Sequence, residues 1–186
     1  MVQTPLRELF DRLTAVKRRK CSRIRIFLSE SKGNHGISNS KDVGDRTESK
    51  VLATLIEYGY NVSIPFGDND KYDFVVGDSG DLYRIQCKTA WKNKAETIRF
   101  NTHSQTTKDG EYYEHTYGDA IDAFVVYYPA TDTLYWVNEV DATTQKMELR
   151  FDSRIDHPSI NWADSYEFDG TIPENCRPKH SHDRTG

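Results

Sequence analysis

Apolar positions recur along this chain in two periods, and the change from one to the other marks out its elements. Thr4-Pro5 forms a helix start, and Leu6, Leu9, Phe10, Leu13 and Val16 follow at helical spacing, which predicts an N-terminal helix ending near Lys20. Ile24 to Leu28 reads as a short strand, and Ser29 to Val43, rich in Ser, Gly, Asn and Lys, as a linker. Asp45 then reads as the cap of a second helix, with Glu48 three positions on as in a capping box. Val51, Leu52, Leu55 and Ile56 supply its buried stripe, and Gly59 its stop.

Beyond Gly59 the period shortens to two. Tyr60–Phe66, Tyr72–Val76, Leu82–Lys88, Thr97–Asn101, Ile121–Tyr128, Leu134–Val140 and Lys146–Phe151 are the predicted strands. Gly77–Asp81 and Pro129–Thr133 are hairpin turns, residues 102–118 a polar loop, and the segment after Gly170, with Pro173 and Pro178, a flexible tail. The expected organisation is a basic helix and linker over residues 1–40, a domain over 41–170, and a tail over 171–186. The fold class is α/β, with a mixed, mostly antiparallel central sheet flanked by helices.

Alternation on the strand ending at Lys88 places Arg84, Gln86 and Lys88 on one face and Tyr83, Ile85 and Cys87 on the other. Cys87 is therefore a small core residue and not a nucleophile. A turn centred on Ser79 and Gly80 sets Asp73 across from Gln86, with Lys88 on the diagonal. Glu48 lies on the helical row of Leu52 and Leu55, so its carboxylate heads the face that packs on the sheet.

The net charge of −4 looks wrong for a nucleic-acid partner until it is divided. Residues 1–25 carry eight Lys/Arg against Glu8 and Asp11, a net +6, which leaves −10 on the remainder. The basic segment is either an arm that meets phosphates or a solvated helix face. The longest apolar run is too short to span a bilayer, and no secretory segment follows the N-terminal charges. Three separated cysteines give no disulfide framework and point to a reducing, cytoplasmic setting. Cys176 with His180 and His182 lacks a fourth zinc ligand and reads as part of the polar tail.

Asp73, Gln86, Lys88 and Glu48 together have the chemistry of phosphodiester cleavage. Asp73, the Gln86 side-chain oxygen and the Cys87 backbone carbonyl make an oxygen-rich site suited to Mg2+, and Glu48 is placed for a second metal or its water. Lys88 fits a general base or an electrostatic stabiliser. Each residue alone has an ordinary explanation as a cap, a turn acid or a solvated strand face. Their convergence beside an apolar sheet does not.

Gly44-Asp45-Arg46-Thr47-Glu48, Tyr72-Asp73-Phe74, Tyr83-Arg84-Ile85-Gln86-Cys87-Lys88-Thr89 and Asp122-Ala123-Phe124 resemble the PD-(D/E)XK nuclease superfamily over about residues 42–140. The likeness is to its intron-encoded homing endonucleases and to archaeal Holliday-junction-resolvase-like members. It implies a restriction-endonuclease-like core, with Glu48 as the helix acid, Asp73 and Gln86 as metal ligands and Lys88 as the motif lysine. No proline precedes Asp73 directly, and Gln86 replaces the usual second acid; a Gln-x-Lys variant occurs among intron-encoded homing endonucleases. The resemblance implies double-stranded or branched DNA as substrate and a homodimer or homotetramer to cut both strands. A junction resolvase and a catalytically inactive DNA-binding module of the same fold are the alternatives, followed by a protein-interaction domain.

Further residues are candidates for DNA contact. Lys92, Lys94 and Arg99, near Trp91, form a basic patch with an aromatic neighbour, or simply solvate strand ends. Asn101, His103, Ser104 and Gln105, with Thr102, follow a strand and are in place to meet a phosphate or to line a polar loop. Asp122, ahead of an apolar strand, reads as structural.

Overall fold

The computed structural model describes residues 40–67, 70–94, 96–108, 111–152 and 157–179, without the side chains of 105–108, 112 and 113. The expected basic N-terminal helix, the strand at 24–28 and most of the linker lie outside the described residues. The helix α1 spans Ser40–Glu57, five residues earlier than the expected cap at Asp45. Asp42 places an acid in the first turn, where the helix dipole favours it, so Asp45 lies inside the helix. Thr47, Val51 and Leu55 form the buried row at a spacing of four. Ile56, expected in that stripe, is 57% exposed.

Among the described residues ten strands follow: β1 (Asn61–Ser63), β2 (Phe74–Asp78), β3 (Asp81–Thr89), β4 (Trp91–Lys94), β5 (Thr97–Asn101), β6 (His103–Lys108), β7 (Glu111–Thr116), β8 (Ala123–Tyr128), β9 (Thr133–Asn138) and β10 (Lys146–Arg150). The main sheet runs β1-β2-β3-β8-β9, antiparallel except for the parallel β3–β8 pair. It is mixed and mostly antiparallel, as the sequence indicates. Ser79 and Gly80, at φ 51° and 95°, turn β2 into β3. Two positive φ values suit a tight hairpin whose twist matches its strands, and Gly meets one of them without a Cβ clash.

The two faces of the main sheet are covered differently. On one, Val51 and Leu55 of α1 pack with Phe74, Val76, Ile85, Cys87, Val125 and Trp136. On the other, Phe124, Val126, Tyr135 and Val137 meet Ile98, Phe100, Met147 and Leu149 of a second antiparallel sheet, β10-β5-β4. The expectation of helices on the flanks is therefore corrected: among the described residues there is one α-helix, and a sheet occupies the opposite face. The reason lies in the β3–β8 connection. Parallel neighbours need a long crossover, here supplied by β4–β7 where a helix is more usual. Because β8 and β9 are covered on both faces, Ala123-Phe124-Val125-Val126 is a continuous apolar run.

Residues 102–118, expected as a loop, hold the antiparallel hairpin β6–β7. Its Thr- and Tyr-rich strands suit extended backbone despite their polarity, and Asp109-Gly110 is a hairpin signal in the sequence. Residues 171–179, expected as flexible tail, pack on the domain: Ile172 and Cys176 join the helix-side core. Just before them, Trp136 stacks on Phe168 at 5.6 Å, and Tyr60 Oη donates to Gly170 O at 3.0 Å. Residues 166–168 run along β9, with Trp136 N–H donating to Tyr166 O and Phe168 N–H to Leu134 O, and so cover an otherwise open sheet edge. Residues 180–186 lie outside the described residues. Ile172→Ala is expected to lower unfolding stability by about 2–5 kcal/mol in chemical denaturation, the cost of emptying a core site; a residue in a solvated tail would change it by less than about 0.5 kcal/mol.

Candidate active site

The β2–β3 register pairs Phe74 with Ile85, which places Asp73 opposite Gln86 one step beyond the last paired residue. Asp73 N–H donates to Ile85 O at 2.8 Å, so the pairing persists at the backbone. The Asp73 carboxylate turns toward β3: its Oδ2 accepts from Gln86 Nε2 at 2.6 Å and from the Cys87 backbone N–H at 2.6 Å. Asp73, Gln86 and Lys88 come together as the alternation requires.

Glu48 stands in the third turn of α1 and is half-buried. The helix is tied there to the end of β3 by a 2.6 Å hydrogen bond between the Thr47 and Thr89 hydroxyls. Both threonines lie next to motif residues, and that bond sets the height of Glu48 over the sheet. Glu48 enters the site from the side of the helix and not from a capping box, which corrects the expected pairing with Asp45.

Burial pushes the Glu48 carboxyl above the usual carboxylate range, and the charges of Asp73 and Asp45 push it further. Burial also raises Asp73, against the Cys87 backbone N–H, the Lys88 charge and the Gln86 amide, which favour its ionised form. Burial lowers Lys88 from 10.5 to about 8, with the Asp73 charge resisting the drop. Burial and the same carboxylates raise the Cys87 thiol, which agrees with its reading as core.

A divalent cation fits this donor set. Its charge would relieve two half-buried carboxyls that are both held above their normal range, and the donors are oxygens: Asp73, Glu48, the Cys87 carbonyl and Gln86 Oε1. Among the described residues there is no group of three or more His, Cys, Asp or Glu in position to hold a metal, so the Gln86 amide and the backbone carbonyl are needed to complete a ligand set. Cys176 is buried in the core, while His180 and His182 lie outside the described residues.

The candidate DNA-contact residues disperse. Lys92 and Lys94 stand exposed on β4. Arg99 on β5 is engaged by Glu148, which also accepts from Asn93 at 2.8 Å. Trp91 is paired with Arg99 across the strands and is 42% exposed. The Asn101 side-chain oxygen is buried, with no hydrogen-bond partner among the described residues. His103 is 4% exposed, with Nδ1 2.7 Å from Gln145 O, so its ring points inward. Ser104 Oγ donates to His115 O at 3.4 Å, and Gln105 pairs through β6 with Glu114. Of these, His103 reaches the site, and by its backbone: its carbonyl accepts from Lys88 Nζ at 3.4 Å.

Sequence reasoning missed Tyr117, whose Oη accepts from Lys88 Nζ at 2.6 Å. It sits at the end of what reads as a polar loop, and no local pattern in the sequence marks it. Asp122 is structural, as expected. Its carboxylate accepts from the Arg84 backbone N–H at 2.7 Å and from the Arg84 guanidinium at 3.2 Å, and is 1% exposed.

A mixed sheet carrying an acid, a Gln-x-Lys strand and a helix acid at one end defines a nuclease fold, and the comparisons give the family. The chain belongs to the PD-(D/E)XK endonuclease family, whose model matches residues 38–169. A solved structure of a bacterial homing endonuclease, I-Ssp6803I, has a similar fold, with a TM-score of 0.60 at 22% identity, covering 70% of this chain and 89% of that one. No curated protein sequence matches. Among the described residues, no helix is long and apolar enough to cross a membrane.

The depressed lysine makes a prediction about stability. Between pH 8 and 10.5 the unfolded chain holds a proton at Lys88 that the folded chain has lost, so stability rises with pH across that window. At pH 7 both states are protonated and the folded state carries the full burial cost. Lys88→Met is therefore expected to stabilise the protein at pH 7 by up to ~3 kcal/mol. That gain should shrink as pH rises toward 10.5, as read from denaturation curves at several pH values.

Proposed function

We propose that this protein is a metal-dependent DNA endonuclease that hydrolyses phosphodiester bonds with Glu48, Asp73, Gln86 and Lys88. The observation that carries the reading is the convergence of Gln86 and the Cys87 backbone on one oxygen of Asp73, beside a buried lysine shifted to about 8. Family membership supports the nuclease class, and the likeness to a bacterial homing endonuclease supports the fold on which a homing-type enzyme is built.

Asp73, Gln86 Oε1, the Cys87 carbonyl and Glu48 would hold Mg2+, which when bound offsets phosphate charge and lowers the pKa of a water. Asp73 orients this set, because its contacts to β3 fix the carboxylate. Glu48 closes the site from the helix side and holds an attacking water through its carboxylate. Lys88 Nζ accepts the proton of that water, a role suited to an amine whose pKa is near the working pH. In its protonated form it faces the charge that grows on the phosphate.

The substrate is double-stranded or branched DNA. Lys92 and Lys94, beside the exposed Trp91, offer cationic and stacking groups on the second sheet, whereas Arg99 is held by Glu148. One site cuts one strand, so a homodimer or homotetramer is required for a double-strand break. The Gln-x-Lys strand favours the homing type over a junction resolvase.

Supercoiled plasmid and four-way junctions, incubated with Mg2+, test this directly. Wild-type protein should nick, and Asp73→Ala and Lys88→Ala should each slow cleavage by about 10²–10⁴-fold. Nicking of the same rate in both variants would sink the mechanism. A strong preference for the junction over linear duplex would assign the chain to the resolvase type.

A further inference from the structure

Lys88 is gripped from outside the family motif. Its Nζ donates to Tyr117 Oη at 2.6 Å and lies 4.7 Å from the centre of the Tyr117 ring. The His103 carbonyl accepts a second bond at 3.4 Å. An ammonium has three donors, so these two contacts set its orientation and leave the third direction for the acid side of the site.

Tyr117 is itself held on two sides. Its ring meets Phe124 edge-on at 5.4 Å, and Phe124 is the β8 residue paired with Gln86. Immediately after it, the turn Gly118–Ala120 is clamped by the C-terminal segment. Lys179 Nζ donates to Gly118 O at 3.0 Å and to Glu139 Oε2 at 2.7 Å, while its backbone N–H donates to Asp122 Oδ1 at 2.9 Å. The hydroxyl is thus fixed against the strand that carries the motif.

A free lysine side chain explores many rotamers, and a base acts only within hydrogen-bond reach of the proton it takes. We infer that Tyr117 is a positioning residue for Lys88, its hydroxyl holding the amine in the one place from which it serves Asp73, Gln86 and the scissile phosphate. The inference rests on the nuclease reading above for its catalytic consequence, though not for the contact itself. The Lys179 clamp makes the C-terminal segment part of the support of the site.

Tyr117→Phe removes the hydroxyl and keeps the ring on Phe124. In single-turnover cleavage with Mg2+ at saturating DNA, the rate should fall on the order of tenfold to a hundredfold. DNA affinity, measured with Ca2+ in place of Mg2+, should stay within about twofold of wild type, a split that a loss of folded protein would not give. A second readout uses metal-free protein carrying 15N-labelled lysine. The hydrogen-bonded Lys88 ammonium should give an NMR signal, identified by its absence in Lys88→Ala, that broadens away in Tyr117→Phe. An unchanged rate or an unchanged ammonium signal in Tyr117→Phe overturns the inference. Should the wild type cut no DNA, the nuclease reading falls, and the ammonium signal alone then decides whether Tyr117 holds Lys88.

Discussion

A single oxygen, Asp73 Oδ2, receives both the Gln86 amide and the Cys87 backbone N–H at 2.6 Å, and the arrangement of the site depends on it. A carboxylate buried to this degree is costly unless its charge is met by donors or cations. Asp73 meets that demand from β3, and in doing so holds the end of the hairpin in register where the ladder stops. The same bonds fix the backbone at Cys87, whose carbonyl is a candidate ligand, and the strand position of Lys88. Structure and chemistry here share one set of contacts.

The excursion between β3 and β8 explains why the site is reached from so many directions. Those residues leave the main sheet, build the second sheet and the β6–β7 hairpin, and return through Tyr117 to Asp122. At the point of return Asp122 grips Arg84, two residues before Gln86, and the Lys179 backbone. The parallel β3–β8 pair is pinned by that ion pair, which is almost fully shielded from water. Such a pair is retained for registry more readily than for net stability, since desolvation offsets much of its attraction. Here the registry it sets is that of the motif strand.

What the sequence revealed and what it hid divide along the range of the interactions. The Asp73–Gln86–Lys88 grouping was legible because a two-residue turn fixes the register and alternation then fixes the faces. The helix face was legible in part, from its 3.6-residue period: the fully buried row runs through Thr47, Val51 and Leu55, one position off the expected Glu48 and Leu52, which are half-buried. The second sheet was not. Trp91-Lys92-Asn93-Lys94 carries little alternation, and the sheet is completed by pairing Thr97–Asn101 with Lys146–Arg150, strands far apart in sequence. Tyr117 and Lys179 act through contacts 29 and 61 residues away, which no local pattern encodes. Residues 171–179 looked like tail because Ile172 and Cys176 are two apolar anchors diluted among polar neighbours.

Gln86 is where the departure from the family's acid makes physical sense. A second carboxylate opposite Asp73 would place two acids side by side, with the Glu48 carboxyl already raised by the Asp73 charge. Without a cation such a cluster repels itself, and one member would take up a proton. An amide avoids this by presenting its N–H to Asp73, as it does here, and so stabilises the acid in its ionised form. In the proposed site, a half-turn of the same amide would exchange nitrogen for oxygen and offer Oε1 to a metal. Relative to an acid, glutamine thus removes one negative charge beside Asp73 and supplies a donor to its carboxylate. In the proposed nuclease, attraction for the metal would rest on Asp73 and Glu48, and Lys88, held by Tyr117 and the His103 carbonyl, would take a larger share in managing the charge of the phosphate.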